Sequence, residues 1–298
     1  MSEPVIIEVA LNGVTPRARN PHVPLLPEEI AADALACLAA GAAIVHTHID
    51  EFALPGPAAA ARYLAGWRPV VAAVPDAILY PTVGFGGDTP ARFAHVEPLA
   101  SVARMGVLDP GSVNLGGADA DGLPGGFEFV YQNTFADIRW TVALLERLRL
   151  GPSISIFEPG FLRTALAYYR AGRLPAGSFV KLYFGGDAGY LGGTAGAATF
   201  GLPPTARALD AYLELLGDSG LPWAVAVIGG DVVGCGMARR ALERGGHVRV
   251  GLEDYAGART PANAELVAEV VTLARAVGRP VATPAEAARL LALPARDR

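Results

Sequence analysis

Short apolar runs rich in Val, Ile and Leu alternate along the chain with longer Ala/Leu/Arg-rich stretches of helical period. VIIEVAL (5–11) reads as a strand. LPEEIAADALACLAAG (26–41) reads as a helix, with Pro27 and two glutamates in its first turn and Gly41 past its end. AAIVHTH (42–48), AILYPTVG (77–84) and GSVNLG (111–116) are the next strands, separated by helices AAAARYLAGW (58–67) and TPARFAHVEPLASVA (89–103). TFADIRWTVALLERLRL then reads as helix, SISIFE (153–158) as strand, FLRTALAYYRAG as helix and SFVKLYFGG (178–186) as strand. TARALDAYLELL, strand WAVAVIGG (223–230), CGMARRALERGG and strand HVRVGLED (247–254) follow, and NAELVAEVVTLARAVG and PAEAARLLAL close the chain as helices.

The strands are near-continuous apolar runs, as expected of a parallel sheet covered on both faces. About eight strand–helix units without a linker fit a single (β/α)8 TIM barrel over residues 1–298, with an added C-terminal helix. An open doubly wound sheet is the competing architecture. It expects G-x-G-x-x-G after the first strand, and the chain has none there.

Composition narrows the class further. Hydrophobic residues make up 52% and charged residues 18% of 298, enough for one large core, and the glycines and prolines are scattered as in many short loops. A net charge of −5 argues against a general nucleic-acid partner, whose phosphates demand surplus Lys and Arg. Cys37 and Cys235 form neither a disulfide framework nor a zinc-finger pattern. With no signal-like N-terminus and no apolar stretch of membrane-spanning length, a cytoplasmic protein without membrane contact is expected.

A barrel of this kind carries its chemistry at the C-terminal ends of the strands. The polar residues expected there are Asn12, Thr15, His46, His48, Asp50, Thr82, Ser112, Asn114, Glu158, Lys181, Asp231, Glu253 and Asp254. His46 and His48 are two apart on a strand, so both rings face one side, roughly 7 Å apart along the backbone. Such a pair can converge on one cation. The plainer reading, two histidines bonded to loop backbone, suits a lone histidine better than H-x-H at the end of a buried strand. A third ligand should come from another strand end, where Glu253 and Asp254 stand together, although a solvated acidic loop would look the same. Glu158 suits helix capping or support as well as catalysis. Lys181, inside an apolar strand, needs a carboxylate of the protein or of a substrate. The glycines of YFGGDAGYLGG could bring backbone N–H groups to an anion, a weak signal alone.

Together the H-x-H strand, SVNLG, FEPG, WAVAVIG and GGHVRVGLED resemble the β-keto acid cleavage enzymes, nearly end to end. The resemblance implies a metal-binding TIM barrel, usually with zinc, that converts a β-keto acid and acetyl-CoA into acetoacetate and a new CoA thioester. It implies His46, His48 and Glu253 as metal ligands and Asp254 as general base. It further implies Thr82, Ser112 and Asn114 as contacts to the keto acid, and a homotetramer. A glutamate that reads an amino group in the best-known member is replaced here by Thr15. The arginine expected near the base, after WAVAVIG, is replaced by Gly230 with Asp231 beside it. Asp50 and Asp231 then favour a cationic or hydroxylated substrate tail. The alternatives are another metal-dependent barrel hydrolase or lyase, and a barrel that has become a binding protein. A hydrolase needs further ligating histidines, and of the remaining His22, His95 and His247 the second falls in a helix and the third at the wrong end of its strand.

Overall fold

The computed structural model describes residues 2–188 and 200–295, with only the backbone described at 118 and 125–128. Eight parallel strands form the sheet: β1 (Ile7–Ala10), β2 (Ile44–Thr47), β3 (Ile78–Pro81), β4 (Met105–Leu108), β7 (Gly151–Ile156), β8 (Phe179–Gly185), β9 (Trp223–Ile228) and β10 (His247–Val250). Their order, β3-β2-β1-β10-β9-β8-β7-β4, is that of a TIM barrel cut at one joint. Across that joint the Arg104 N–H donates to the Leu79 carbonyl at 3.0 Å. The missing strands in this numbering, β5 (Val113–Ala118) and β6 (Pro124–Tyr131), pair antiparallel as a separate hairpin.

The hairpin corrects the expectation for residues 111–116. Those residues are not a barrel strand; the fourth strand is Met105–Leu108, immediately before them. Its signal is weak because the run is short and contains glycine. A Cβ at Gly106 would lie 2.5 Å from the Leu145 side chain, so a larger residue there would have to displace that leucine's methyl group. The helix expected at 89–103 is also broken, into α3 (Thr89–Arg92) and α4 (Val96–Leu99). Pro98 has no N–H for the Ala94 carbonyl, and its ring would strike that carbonyl in a continuous helix.

The remaining helices, α1 (Pro27–Ala40), α2 (Gly56–Ala73), α5 (Phe135–Arg147), α6 (Pro159–Arg170), α7 (Ala206–Leu216), α8 (Met237–Glu243) and α9 (Asn263–Ala276), follow the expected alternation. Their apolar stripes pack on the outer faces of the strands through residues such as Ile30, Trp67, Leu145, Leu162, Tyr212 and Val270, all buried. A second cluster fills the opposite mouth: Ile6, Ile44, Ile78, Met105 and Phe179 meet Ala287 of α10 (Pro284–Leu290) and Leu291 just past its end. The C-terminal helix thus plugs the N-terminal end of the barrel and leaves the other end to carry polar groups. Among the described residues no helix is long and apolar enough to cross a membrane.

Candidate metal centre and cavity

His46 projects from β2 and His48 follows it, both buried. Glu253 reaches them from the turn after β10, where the Glu253 N–H donates to the Ala10 carbonyl at 3.2 Å. Glu253 Oε2 lies 3.4 Å from His46 Nε2, and Oε1 lies 3.5 Å from His48 Nε2. Those spacings match the edge of a tetrahedron around an ion with ligand bonds of about 2.1 Å, which is roughly 3.4 Å. One candidate ligand atom from each residue lies within 4.8 Å of the other two. Both His48 ring nitrogens and Glu253 Oε2 are buried without a hydrogen-bond partner among the described residues. Buried polar atoms rarely stay unpaired unless something else binds them. The donor set, two imidazoles and a carboxylate, therefore fits a divalent cation.

The surroundings prepare these ligands. His46 Nδ1 lies 3.3 Å from the Tyr80 carbonyl, which can only accept, so the proton sits on Nδ1 and the Nε2 lone pair faces Glu253. Tyr80 also stacks on the His46 ring at 4.4 Å. Burial, together with the nearby Arg249 and Lys181 charges, holds the His46 imidazole well below its usual pKa and so neutral. Burial alone would raise the Glu253 carboxyl, but Arg249, His46 and His48 outweigh it and hold it well below the usual range. The adjacent Asp254 is displaced the other way: burial raises its pKa against the pull of Arg249. Two neighbouring carboxylates are thus driven to opposite behaviour, one held ionised and one made more basic.

Beneath the ligands lies a buried ion network. Arg249 Nε and Nη2 hold both oxygens of Asp254 at 2.8 and 3.1 Å; Nη2 also lies 3.1 Å from Glu253 Oε1, and Nη1 donates to Glu8 Oε1 at 3.0 Å. Lys181 Nζ donates to the Tyr80 hydroxyl at 2.6 Å, to Glu8 at 3.3 Å and to Ser153. The Tyr80 hydroxyl donates to Glu8. Glu8, Glu253 and Asp254 face Lys181 and Arg249, so the formal charge favours one further cation. That imbalance agrees with the unpaired ligand atoms.

A cavity of about 200 Å³ opens over this network. Among its lining residues are His46, His48, Thr82, Lys181, Arg249 and Glu253, with Asp109, Ser155, Tyr131 and Arg92 on the β4 and β7 side. The other expected site residues stand apart. The Thr15 hydroxyl donates to the Leu252 carbonyl at 2.8 Å, and Asp50 pairs with Arg62 at 2.8 Å. Ser112 bonds the Asn133 backbone from the hairpin base, and Asn114 is exposed on β5. Asp231 accepts from the Val233 and Gly234 N–H groups. Glu158, at the N-terminus of α6, accepts from the Gly201 N–H at 2.7 Å, which suits loop support rather than contact with the cavity. Asp254 sits behind Arg249 and does not line the main cavity.

Gly230 and Asp231 follow β9 as expected, but an arginine does stand beside Asp254: Arg249, supplied by β10. His95 bonds the Thr82 carbonyl outside the main cavity, and His247 lies at the plugged end, where Nδ1 accepts from the Ile6 N–H. Neither joins the ligand cluster. Part of YFGGDAGYLGG lies outside the described residues.

A (β/α)8 barrel whose C-terminal mouth carries a His–x–His–carboxylate cluster able to hold a metal ion, beside a cavity, has the layout of a barrel enzyme. A family model for the beta-keto acid cleavage enzymes matches residues 4–293, and the chain belongs to that family. It is 31% identical over 307 residues to the 3-oxoadipate:acetyl-CoA acetyltransferase of Cupriavidus necator, covering 100% of this chain and 98% of the relative. It is 30% identical to the 3-keto-5-aminohexanoate cleavage enzyme of Fusobacterium nucleatum, over 98% of this chain and 99% of the relative. A solved binary complex of ObcA with oxaloacetate shares the fold, with a TM-score of 0.68 at 19% identity, covering 94% of this chain and 69% of that one.

Proposed function

We propose that the chain transfers the acyl group of a β-keto acid to CoA: the keto acid and acetyl-CoA become acetoacetate and the CoA thioester of the remaining acyl group. The observation that carries this reading is the His46–His48–Glu253 cluster facing a small-molecule cavity in a chain matched to the family from residue 4 to 293. These three residues would hold a divalent cation, and two imidazoles with a carboxylate suit zinc. When bound, the ion supplies Lewis acidity that makes the methylene between the substrate's two carbonyl groups more acidic.

Asp254 is the base in this reading, because burial has made its carboxylate more basic than usual. Arg249, at the cavity wall, keeps Glu253 ionised and restrains Asp254. Asp254 has to turn from behind the guanidinium to take the methylene proton at a carboxylate oxygen. Lys181 and Glu8 fix Tyr80, and Tyr80 fixes the His46 ring. Glu158 belongs to loop support in this reading, as do Asp50 and Asp231. A cytoplasmic homotetramer is part of the proposal on the resemblance alone, and light scattering checks the assembly.

Purified protein incubated with acetyl-CoA and a panel of β-keto acids, with elemental analysis of bound metal, tests the function. Acetoacetate and a new acyl-CoA should form in equal amounts with at least one acid. Metal-loaded protein that produces neither from any of them defeats the reading.

A further inference from the structure

Asp109 follows β4 directly and lines the cavity at 9% exposure, outside both the ligand cluster and the buried ion network. The Tyr131 hydroxyl donates to its Oδ2, which fixes the carboxylate against the hairpin. Its Oδ1 is buried and makes no hydrogen bond of full geometry among the described residues, although the Ser155 hydroxyl beside the carboxylate favours its charged form. Such an acceptor calls for a donor from outside the chain. In the eight-strand order β4 stands four places from β10, so Asp109 faces Glu253 across the barrel. A substrate held by its keto-acid end at the ligand cluster would therefore extend its tail toward Asp109. The 200 Å³ space holds roughly seven waters' worth of volume, which suits a short tail.

The neighbours decide which donor fits. Arg92, also lining the cavity, bonds neutral acceptors among the described residues, the Gln132 carbonyl at 3.1 Å and Asn133 Oδ1 at 3.3 Å, and its guanidinium lies 5.4 Å from the Tyr131 ring centre. Lys181 forms another part of the wall. An ammonium tail at Asp109 would sit among these cations, and a carboxylate tail would meet Asp109 itself. A hydroxyl avoids both conflicts because it donates through its hydrogen and accepts on its oxygen. We propose that Asp109 selects β-keto acids with a hydroxylated tail by accepting the hydroxyl hydrogen at Oδ1. This rests on the β-keto acid reading of the site and moves the polar-tail preference from Asp50 and Asp231 to Asp109.

Calorimetric binding to the metal-loaded protein without acetyl-CoA tests the assignment separately from turnover. The probes are six-carbon 3-oxo acids carrying a 5-hydroxyl, a 5-ammonium, a terminal carboxylate or no tail group. The hydroxylated acid should bind at least about tenfold more tightly than the unsubstituted one. Asp109→Ala should shrink that ratio to about twofold, while Asp109→Asn, whose amide oxygen still accepts, should keep most of it. Equal binding of hydroxylated and unsubstituted acids by the native protein overturns the proposal, as does an unchanged ratio in Asp109→Ala. Tightest binding of the ammonium acid assigns Asp109 to a cation instead, and tightest binding of the dicarboxylate assigns the tail to Arg92. If Asp109→Ala fails to fold, the native ranking with Asp109→Asn still decides. Binding without preference defeats this assignment alone, whereas no binding of any acid defeats the β-keto acid reading with it.

Discussion

His46, His48 and Glu253 carry distinct burdens from Asp254, and two substitutions should separate them. His46→Ala should lose both bound metal and turnover. Asp254→Asn should keep the metal while turnover, and solvent exchange of the substrate methylene protons, fall by at least about a hundredfold. Elemental analysis beside NMR-detected exchange reads both effects. Glu8 answers two buried cations at once; Arg249 keeps Glu253 and Asp254, but Glu8→Gln takes from the buried Lys181 the carboxylate it pairs with. It should cost about 3–5 kcal/mol of stability, read from urea midpoints. The clustering of His46, His48 and Glu253 was legible because H-x-H closed an apolar strand and an acid pair closed another. Glu8 and Arg249 carried the same signal as Lys181, a charge inside an apolar run, but only Lys181 was singled out. Spatial proximity joins these three, and no spacing along the chain encodes it.

At the level of elements, the turn after β10 depends on Gly251. Its φ is +136°, and a Cβ there would stand 2.0 Å from the Ala10 carbonyl oxygen. That oxygen also accepts from the Glu253 N–H, so any shift at Gly251 moves the ligand. Gly251→Ala should lower stability by more than about 1 kcal/mol and weaken metal binding together, measured by thermal melting and by metal titration. Most strands and helices were readable from their apolar runs. The β5–β6 hairpin was not, because GGADADGLPGG resembles a loop and short β4 concealed the true barrel strand. Misplacing that strand hid Asp109 and directed attention to Ser112 and Asn114.

The molecule as a whole should be sensitive to acid through its buried histidines. Burial, with Arg279 nearby, lowers the His247 pKa to about 3, below the unfolded value of about 6.5. The unfolded chain therefore takes up the proton first. This contribution is complete above about pH 6.5 and drains as pH falls toward 3, by up to about 1.4 kcal/mol per pH unit. Asp33, raised to about 6 by burial, acts in the opposite direction between about pH 6 and 4. Urea unfolding at pH 7 and pH 5 should show a smaller loss in His247→Gln than in the native chain. The barrel itself was readable from alternation, but the plug at its far end required the C-terminal helix to be seen in place.

The joint between β3 and β4 has a mechanical meaning. Seven neighbouring strand pairs are laddered, whereas here the Arg104 amide reaches across to Leu79. Thr82 lies just beyond one lip and Asp109 just beyond the other, both on the cavity wall. A joint without a ladder has fewer backbone hydrogen bonds to break than the remaining strand pairs. Deuterium should enter the Arg104 amide sooner than those of β8 and β9, and a bound keto acid spanning the gap should slow it, as mass spectrometry of the corresponding peptides would show.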